Sequence, residues 1–447
     1  MTRKSYVYII ILISALAGVM YGYDIGIISA AFLVLPKQIA MTPTMMGLIG
    51  SAVLAGGSIT ILIAGPLAEV LGRKKMVILA TVIFLIGVLF LAFAHTFIEI
   101  FIGRLIQGVG VGIVTIVIPL YLAEILPSNI RGRGMTLFQL LLGVGIFVAN
   151  LIGMVFTRGE DWRSMFLSSA IPAIALLIAV FVIPESPRWL MKKGEKERAR
   201  RVLEKISETA IAQEQYNELE ESISSTKEMS TFKAFFQKRY ARAIIIVILI
   251  AILNQLTGIN SFLQYSGMIL ESGGLASHFA AMLGSSVVMS VIIFVPLIAL
   301  LFIDTWGRKK VLTIGTAVMA SSLLIGGLIF QFYPDNFSRG LLLMVFMTLY
   351  LVGFSFGPGV VVWLAISELL PTKIRSSGMS IALFINSLVS ALFATFFLQI
   401  TKYFNFQGAF YLCALFGFIY MAVAIFYLPE TKGKTLEEIE EMMTKKR

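Results

Sequence analysis

Apolar residues fill this chain in long blocks, and polar stretches cut the blocks at near-regular intervals. The blocks run over about residues 6–35, 45–69, 76–94, 98–122, 134–157, 164–183, 242–271, 278–303, 311–332, 341–366, 378–400 and 408–428. About 20 residues rising ~1.5 Å each cross the hydrocarbon of a bilayer. Each block therefore predicts one membrane-spanning helix, and the chain predicts twelve. The first block is longer than the core of a signal peptide, has no small-residue cleavage site and is followed by further spans, so it reads as a mature helix. One polar stretch is far longer than the rest. Between Pro184 and Arg242, charges fall at helical spacing with modest apolar content, as in short amphipathic helices. The predicted organisation is an N-terminal six-helix bundle (1–183), a cytoplasmic linker with short amphipathic helices (184–241), a C-terminal six-helix bundle (242–428) and a cytoplasmic tail (429–447).

Composition agrees with the pattern. Of 447 residues, 58% are hydrophobic and 14% charged, too apolar for a soluble protein. The net charge of +11 would suit nucleic acid, but its distribution has a simpler cause. Thirty Lys and Arg lie at the ends and on alternate loops, against five (Lys37, Arg158, Arg163, Arg339, Lys402) in the opposite loops. Positive charge stays on the cytoplasmic side, so both termini are expected there and no nucleic-acid partner is needed. The single cysteine, Cys413, sits in an apolar block and reads as a small buried hydrophobe. His95 and His278 lie at loop edges without Cys or acid partners at ligand spacing, so nothing calls for a metal, a cofactor or an enzyme's nucleophile and base.

The two halves repeat each other. E-I-L-P-S-N-I-R-G-R-G-M from Glu124 to Met135 returns as E-L-L-P-T-K-I-R-S-S-G-M from Glu368 to Met379. L-G-R-K-K at Leu71 to Lys75 returns as W-G-R-K-K at Trp306 to Lys310, and Pro184-Glu185 returns as Pro429-Glu430. Acid, proline, arginine and glycine in register, with the order of all three elements kept, indicate a tandem duplication of parallel topology. That is the all-α arrangement of a major facilitator, two six-helix halves related by a pseudo-two-fold axis. Glu69 and Asp304 precede the G-R-K-K turns, and Glu124 and Glu368 precede I-R, so acids can pair there with Arg73, Arg131, Arg308 and Arg375 of neighbouring helices. Pairs formed in only one conformation would be cytoplasmic gates joining the halves; fixed topology signals are the alternative.

Interior polar residues carry the candidate chemistry. Asp24, in Y-G-Y-D-I-G, is a carboxylate at lipid depth, which demands a partner, a proton or water. Gly22 and Gly26 are expected to make this stretch deformable. Arg104, in G-R-L-I-Q-G-V-G-V-G, falls at similar depth on the fourth block, and Arg stays charged, so the state of Asp24 would depend on what pairs with the arginine. A proton switch and a permanent ion pair are both open. In L-N-Q-L-T-G-I-N, the amides Asn254, Gln255 and Asn260 are costly in an apolar helix unless they line a wet cavity, and amides suit hydroxyl-rich neutral ligands. Gln139, Gln264, Tyr265, Trp363 and Asn386 are further polar or aromatic groups at mid-depth, the indole being able to cover a sugar face. Any one of them could instead be helix-to-helix glue.

These motifs, together with F-Q-L, P-E-S-P-R-W-L, G-P-G-V-V-V-W and P-E-T-K-G, resemble the sugar porter family of the major facilitator superfamily over nearly the whole chain. The bacterial glucose and xylose proton symporters and the related glucose facilitators belong to that family. The resemblance implies transport of a monosaccharide across a plasma membrane, here a bacterial inner membrane, by alternating access. It places sugar contacts on Gln139, Asn254, Gln255, Asn260, Trp363 and Asn386, leaves Gln264 and Tyr265 as contacts or gate, and puts proton coupling on Asp24 with Arg104. The implied partners are the monosaccharide, the proton and the lipid bilayer. Oligomeric state is not written in these motifs, and a monomer satisfies them. The chain departs from the family at Asn254, where many members have glutamine, at Asn386 to Ser390, which lacks the ring and second amide of N-W-x-x-N, at Gln264, where an aromatic is usual, and at Val70, usually basic. Which sugar is carried stays open, as does symport against facilitated diffusion. A sugar sensor would be expected to carry a long signalling tail, whereas this chain ends at Arg447, shortly after Lys432.

Overall fold

The computed structural model describes residues 3–225, 237–371 and 373–444. Among these residues every regular element is helical. The first six spans are Arg3–Gln38, Pro43–Leu71, Arg73–Ala92, Phe97–Ile125, Ser128–Thr157 and Trp162–Ala179. The next four are Ala241–Ser272, His278–Trp306, Arg308–Phe332 and Phe337–Leu369. A single run, Arg375–Phe426, holds the last two. Its 52 residues would measure about 78 Å, far beyond a bilayer, and it folds back at Asn405, whose φ is 56° and ψ −179°. Twelve spans result, and their even number puts the start of the first, at Arg3, and the end of the last, at Phe426, on one face, called here the terminal face.

Local sequence explains where the spans bend. The seventh is interrupted at Gly258, the N-cap of Ile259–Ser272, whose φ of 83° favours glycine. The tenth restarts at Pro358, whose missing N–H is harmless in a first helical turn. The first span does not yield at Gly22 and Gly26 as expected. It is one continuous helix there, and Gly18, Gly22 and Gly26 form a four-spaced groove against the fifth span. A Cβ at Gly22 would lie 1.9 Å from the Leu142 carbonyl oxygen, so these glycines serve close helix packing and not flexibility.

Among its described residues the linker carries the α-helices Pro187–Lys192, Lys196–Ile206 and Thr209–Ser225, and it buries Ala199, Val202, Leu203 and Ile206 in the core of the first half. The tail helix Leu436–Thr444 buries Ile439 and Met443 in the core of the second half. On the face bearing the termini these two cores are separate. On the opposite face they merge into one, where Phe32 and Leu33 of the first half join Ile269, Met282 and Phe397 of the second. The halves are sealed on the face away from the termini.

Candidate functional site

Asp24 and Arg104 meet as their common depth predicts. Arg104 Nη1 donates to Asp24 Oδ1 at 2.5 Å, and both side chains are almost wholly buried. The same nitrogen donates to Gln107 Oε1 at 3.1 Å, one helical turn on, and the Phe166 ring centroid lies 5.6 Å from the guanidinium carbon. Asp24 Oδ2, Arg104 Nε and Gln107 Nε2 have no partner among the described residues. The pair belongs wholly to the first half.

The amide cluster belongs to the second half. Gln255 Nε2 donates to Asn386 Oδ1 at 2.9 Å, and Asn386 Nδ2 donates to the Ala251 carbonyl at 2.9 Å. Asn260 Nδ2 donates to Gln255 Oε1 at 2.9 Å and to Ser390 Oγ at 2.7 Å. The helix break at Gly258 lies between Gln255 and Asn260 in this chain of bonds across the seventh and eleventh spans. Asn254 is buried with Oδ1 unpartnered and stands outside the chain of bonds. Gln139 is exposed on the fifth span and Trp363 half-buried on the tenth, and neither is hydrogen-bonded to the cluster. Gln264 and Tyr265 lie elsewhere, in the seal: a Cβ on Gly50 of the second span would sit 2.7 Å from each polar tip, and Tyr265 stacks between Phe32 and Phe397.

At the terminal face the motif acids pair with arginines inside each half. Arg73, its side chain 1% exposed, donates to Glu69 and, at 2.7 Å, to Glu124. Its counterpart Arg308 donates to Asp304 and Glu368, each at 3.1 Å. Glu124 and Glu368 thus take the arginines of G-R-K-K and not Arg131 and Arg375, which reach back to the Leu126 and Leu370 carbonyls at 3.4 and 3.2 Å. Every one of these bonds stays inside one half, so in this conformation the motifs do not latch the halves together. The repeated Pro-Glu supplies the remaining partners. Glu185 accepts from the Arg73 and Lys74 amides, and Glu430 from those of Arg308 and Lys309, at 2.9 to 3.2 Å. Ser186 and Thr431 donate to Glu124 and Glu368 at 2.7 and 2.6 Å.

Sequence reasoning missed three features. Gln107 was legible as a polar residue one turn from Arg104. Ser390 counted only as a lost amide, although its hydroxyl still reaches Asn260. A buried chain of small polar groups sews the sealed face: Ser29 to Ser266 at 3.0 Å, Ser266 to Ser285 at 2.7 Å, and Ser285 to Asn150 at 2.8 Å. Ser29 and Asn150 come from the first half, Ser266 and Ser285 from the second, and all four are fully buried. A cavity of about 560 Å³ on the same face, lined in part by Phe330, Arg339 and Lys402, includes none of Asp24, Arg104, Gln255, Asn260 and Asn386 in its lining.

Residues 10–443 match the family described as "Sugar (and other) transporter". The chain is 33% identical to the glucose transporter GlcP of Staphylococcus epidermidis, covering 98% of this chain and 97% of that one. It is 30% identical to the galactose-proton symporter of Escherichia coli, covering 100% and 96%. The inward-open structure of the xylose transporter XylE of Escherichia coli superposes with a TM-score of 0.85 at 25% identity, over 98% of this chain and 99% of that one. A match of such length, with the duplicated twelve-span architecture, leaves one conclusion: the chain belongs to the sugar transporter family of the major facilitator superfamily.

Proposed function

We propose that this protein carries a monosaccharide across a bacterial inner membrane by alternating access, coupled to inward movement of a proton. The observation that carries the reading is a fully buried carboxylate-arginine pair in one half, with an amide cluster suited to hydroxyls in the other. Gln255, Asn260 and Asn386 bind the sugar, with Gln139, Asn254 and Trp363 completing the site as the halves rock. Asp24 takes the proton, and its release from Arg104 lets the loaded carrier turn. Both termini face the cytoplasm, as the Lys and Arg bias requires. The sealed face is then the outer one and the state is open to the cytoplasm. The motif clusters, with Glu69, Arg73, Glu124, Arg131, Asp304, Arg308, Glu368 and Arg375, form the cytoplasmic gate when the halves close on that side. The names of relatives as galactose-proton and glucose transporters support the substrate class and the coupling.

The test is a radiolabelled sugar panel in proteoliposomes with and without an imposed proton gradient, comparing wild type with Asp24→Asn. A membrane potential of ~100 mV plus one pH unit supplies roughly 3.7 kcal/mol per proton, enough for about 500-fold accumulation. Wild type accumulates its sugar and loses the gradient with a protonophore; Asp24→Asn keeps counterflow and loses accumulation. Accumulation by the mutant would make the pair structural, and a wild type that only equilibrates its sugar would make the protein a facilitator.

A further inference from the structure

Gln107 is fully buried one helical turn after Arg104 on the fourth span. Its Oε1 accepts from the guanidinium nitrogen that also donates to Asp24, while its Nε2 has no acceptor and Asp24 Oδ2 has no donor. A buried amide that leaves its donor unmet is a poor filler, because an apolar side chain of equal length would pack there without that cost. The space is tight: a Cβ on Gly87 of the third span would sit 2.7 Å from Gln107 Cγ. Packing alone does not account for an amide here.

We propose that Gln107 is a positioning residue for proton coupling: it holds Arg104 in place while Asp24 carries a proton on Oδ2. The inference rests on the proton reading above. Oδ1 is engaged by Arg104, so the unpartnered Oδ2 is the oxygen open to a proton. Once neutral, Asp24 is a weaker partner, but Arg104 stays charged and buried and still needs an acceptor. The Gln107 carbonyl is one whose strength does not depend on pH. Without it the arginine relies wholly on ionised Asp24, and protonation becomes harder. The titratable groups facing the cluster are Asp24 and Tyr21 of the first span and Arg104 of the fourth. Tyr23 is turned to Ser168 at 2.7 Å, and the third and sixth spans contribute Gly87 and Phe166, which carry no charge.

Gln107→Met keeps the length of the side chain and removes the acceptor, with Gln107→Leu as the second variant should the first fold poorly. Proteoliposomes are assayed for proton-driven uptake across external pH and for counterflow. The expected result is that the pH of half-maximal uptake moves to the acid side by about 0.5 to 1 unit, the worth of one hydrogen bond. Accumulation should fall more than counterflow. An unchanged pH profile beside a wild type that accumulates sugar overturns this role for Gln107 alone. A wild type with no protonophore-sensitive accumulation overturns the proton reading and this inference with it.

Discussion

Ser285→Ala should open the sealed face. In the sealed state the Ser285 hydroxyl donates to Asn150 Oδ1 at 2.8 Å and meets Ser266 Oγ at 2.7 Å, with all three residues inaccessible to water. The substitution removes both bonds and leaves the Asn150 oxygen buried without a donor, which costs ~1.5 to 3 kcal/mol. When the face opens, water solvates the same groups, so there the deletion costs almost nothing. The difference falls on the equilibrium between states, a shift of roughly 10- to 150-fold toward the open one. If the sealed form starts at 99%, a tenfold shift raises the open form to about 9%. Spin labels at His95→Cys and Tyr403→Cys, exposed on that face in opposite halves, report the change as a second, longer distance. The native Cys413 is buried, so the introduced cysteines take the label. Asn150→Leu combined with Ser285→Ala replaces both partners by apolar groups and should open the face less than Ser285→Ala alone, because no orphaned amide is left behind. An unchanged distance distribution in Ser285→Ala, or a double variant as open as the single one, would refute the reasoning.

Two further outcomes follow from particular contacts. Gln255→Ala cuts the bonds to both Asn386 and Asn260 and should weaken sugar binding about 10- to 100-fold by calorimetric titration, whereas an unchanged dissociation constant would remove the amide cluster from the site. Gly22→Leu must push the first span off the Leu142 carbonyl and should lower the melting temperature in detergent by several degrees, the effect of ~1 to 3 kcal/mol of overpacking, while Gly65→Leu, with open space around its Cβ, should leave it nearly unchanged; equal melting temperatures would contradict the packing role.

The span count, the duplication and the meeting of Asp24 with Arg104 were legible because they depend on quantities that are nearly local. Twelve blocks of apolar residues measure transfer into lipid, which each segment settles for itself. Asp24 and Arg104 could be paired in advance because few places at lipid depth can hold a charge, and each needed the other. The seventh-span amides announced themselves by their cost in the same way.

Other features depend on how helices are rotated about their axes and crossed, which hydropathy does not record. Arg73, not Arg131, reaches Glu124 because the turn at Gly72 delivers Arg73 to the acid while Arg131 folds back on its own chain. Gly22 looks like a hinge in sequence and is a contact in space, because only the approach of the fifth span leaves no room for a Cβ. Four serine and asparagine side chains spread over more than 250 positions form one chain of hydrogen bonds only because two spans of each half converge on one face. The sequence by itself determined that this is a duplicated twelve-span carrier with a buried acid, a buried arginine and a set of amides, since burial of charge and amide in lipid has so few solutions. Only the tertiary structure decided which groups meet and on which face the halves close, since the same twelve helices can pack in more than one way about their pseudo-two-fold axis and each packing pairs different side chains.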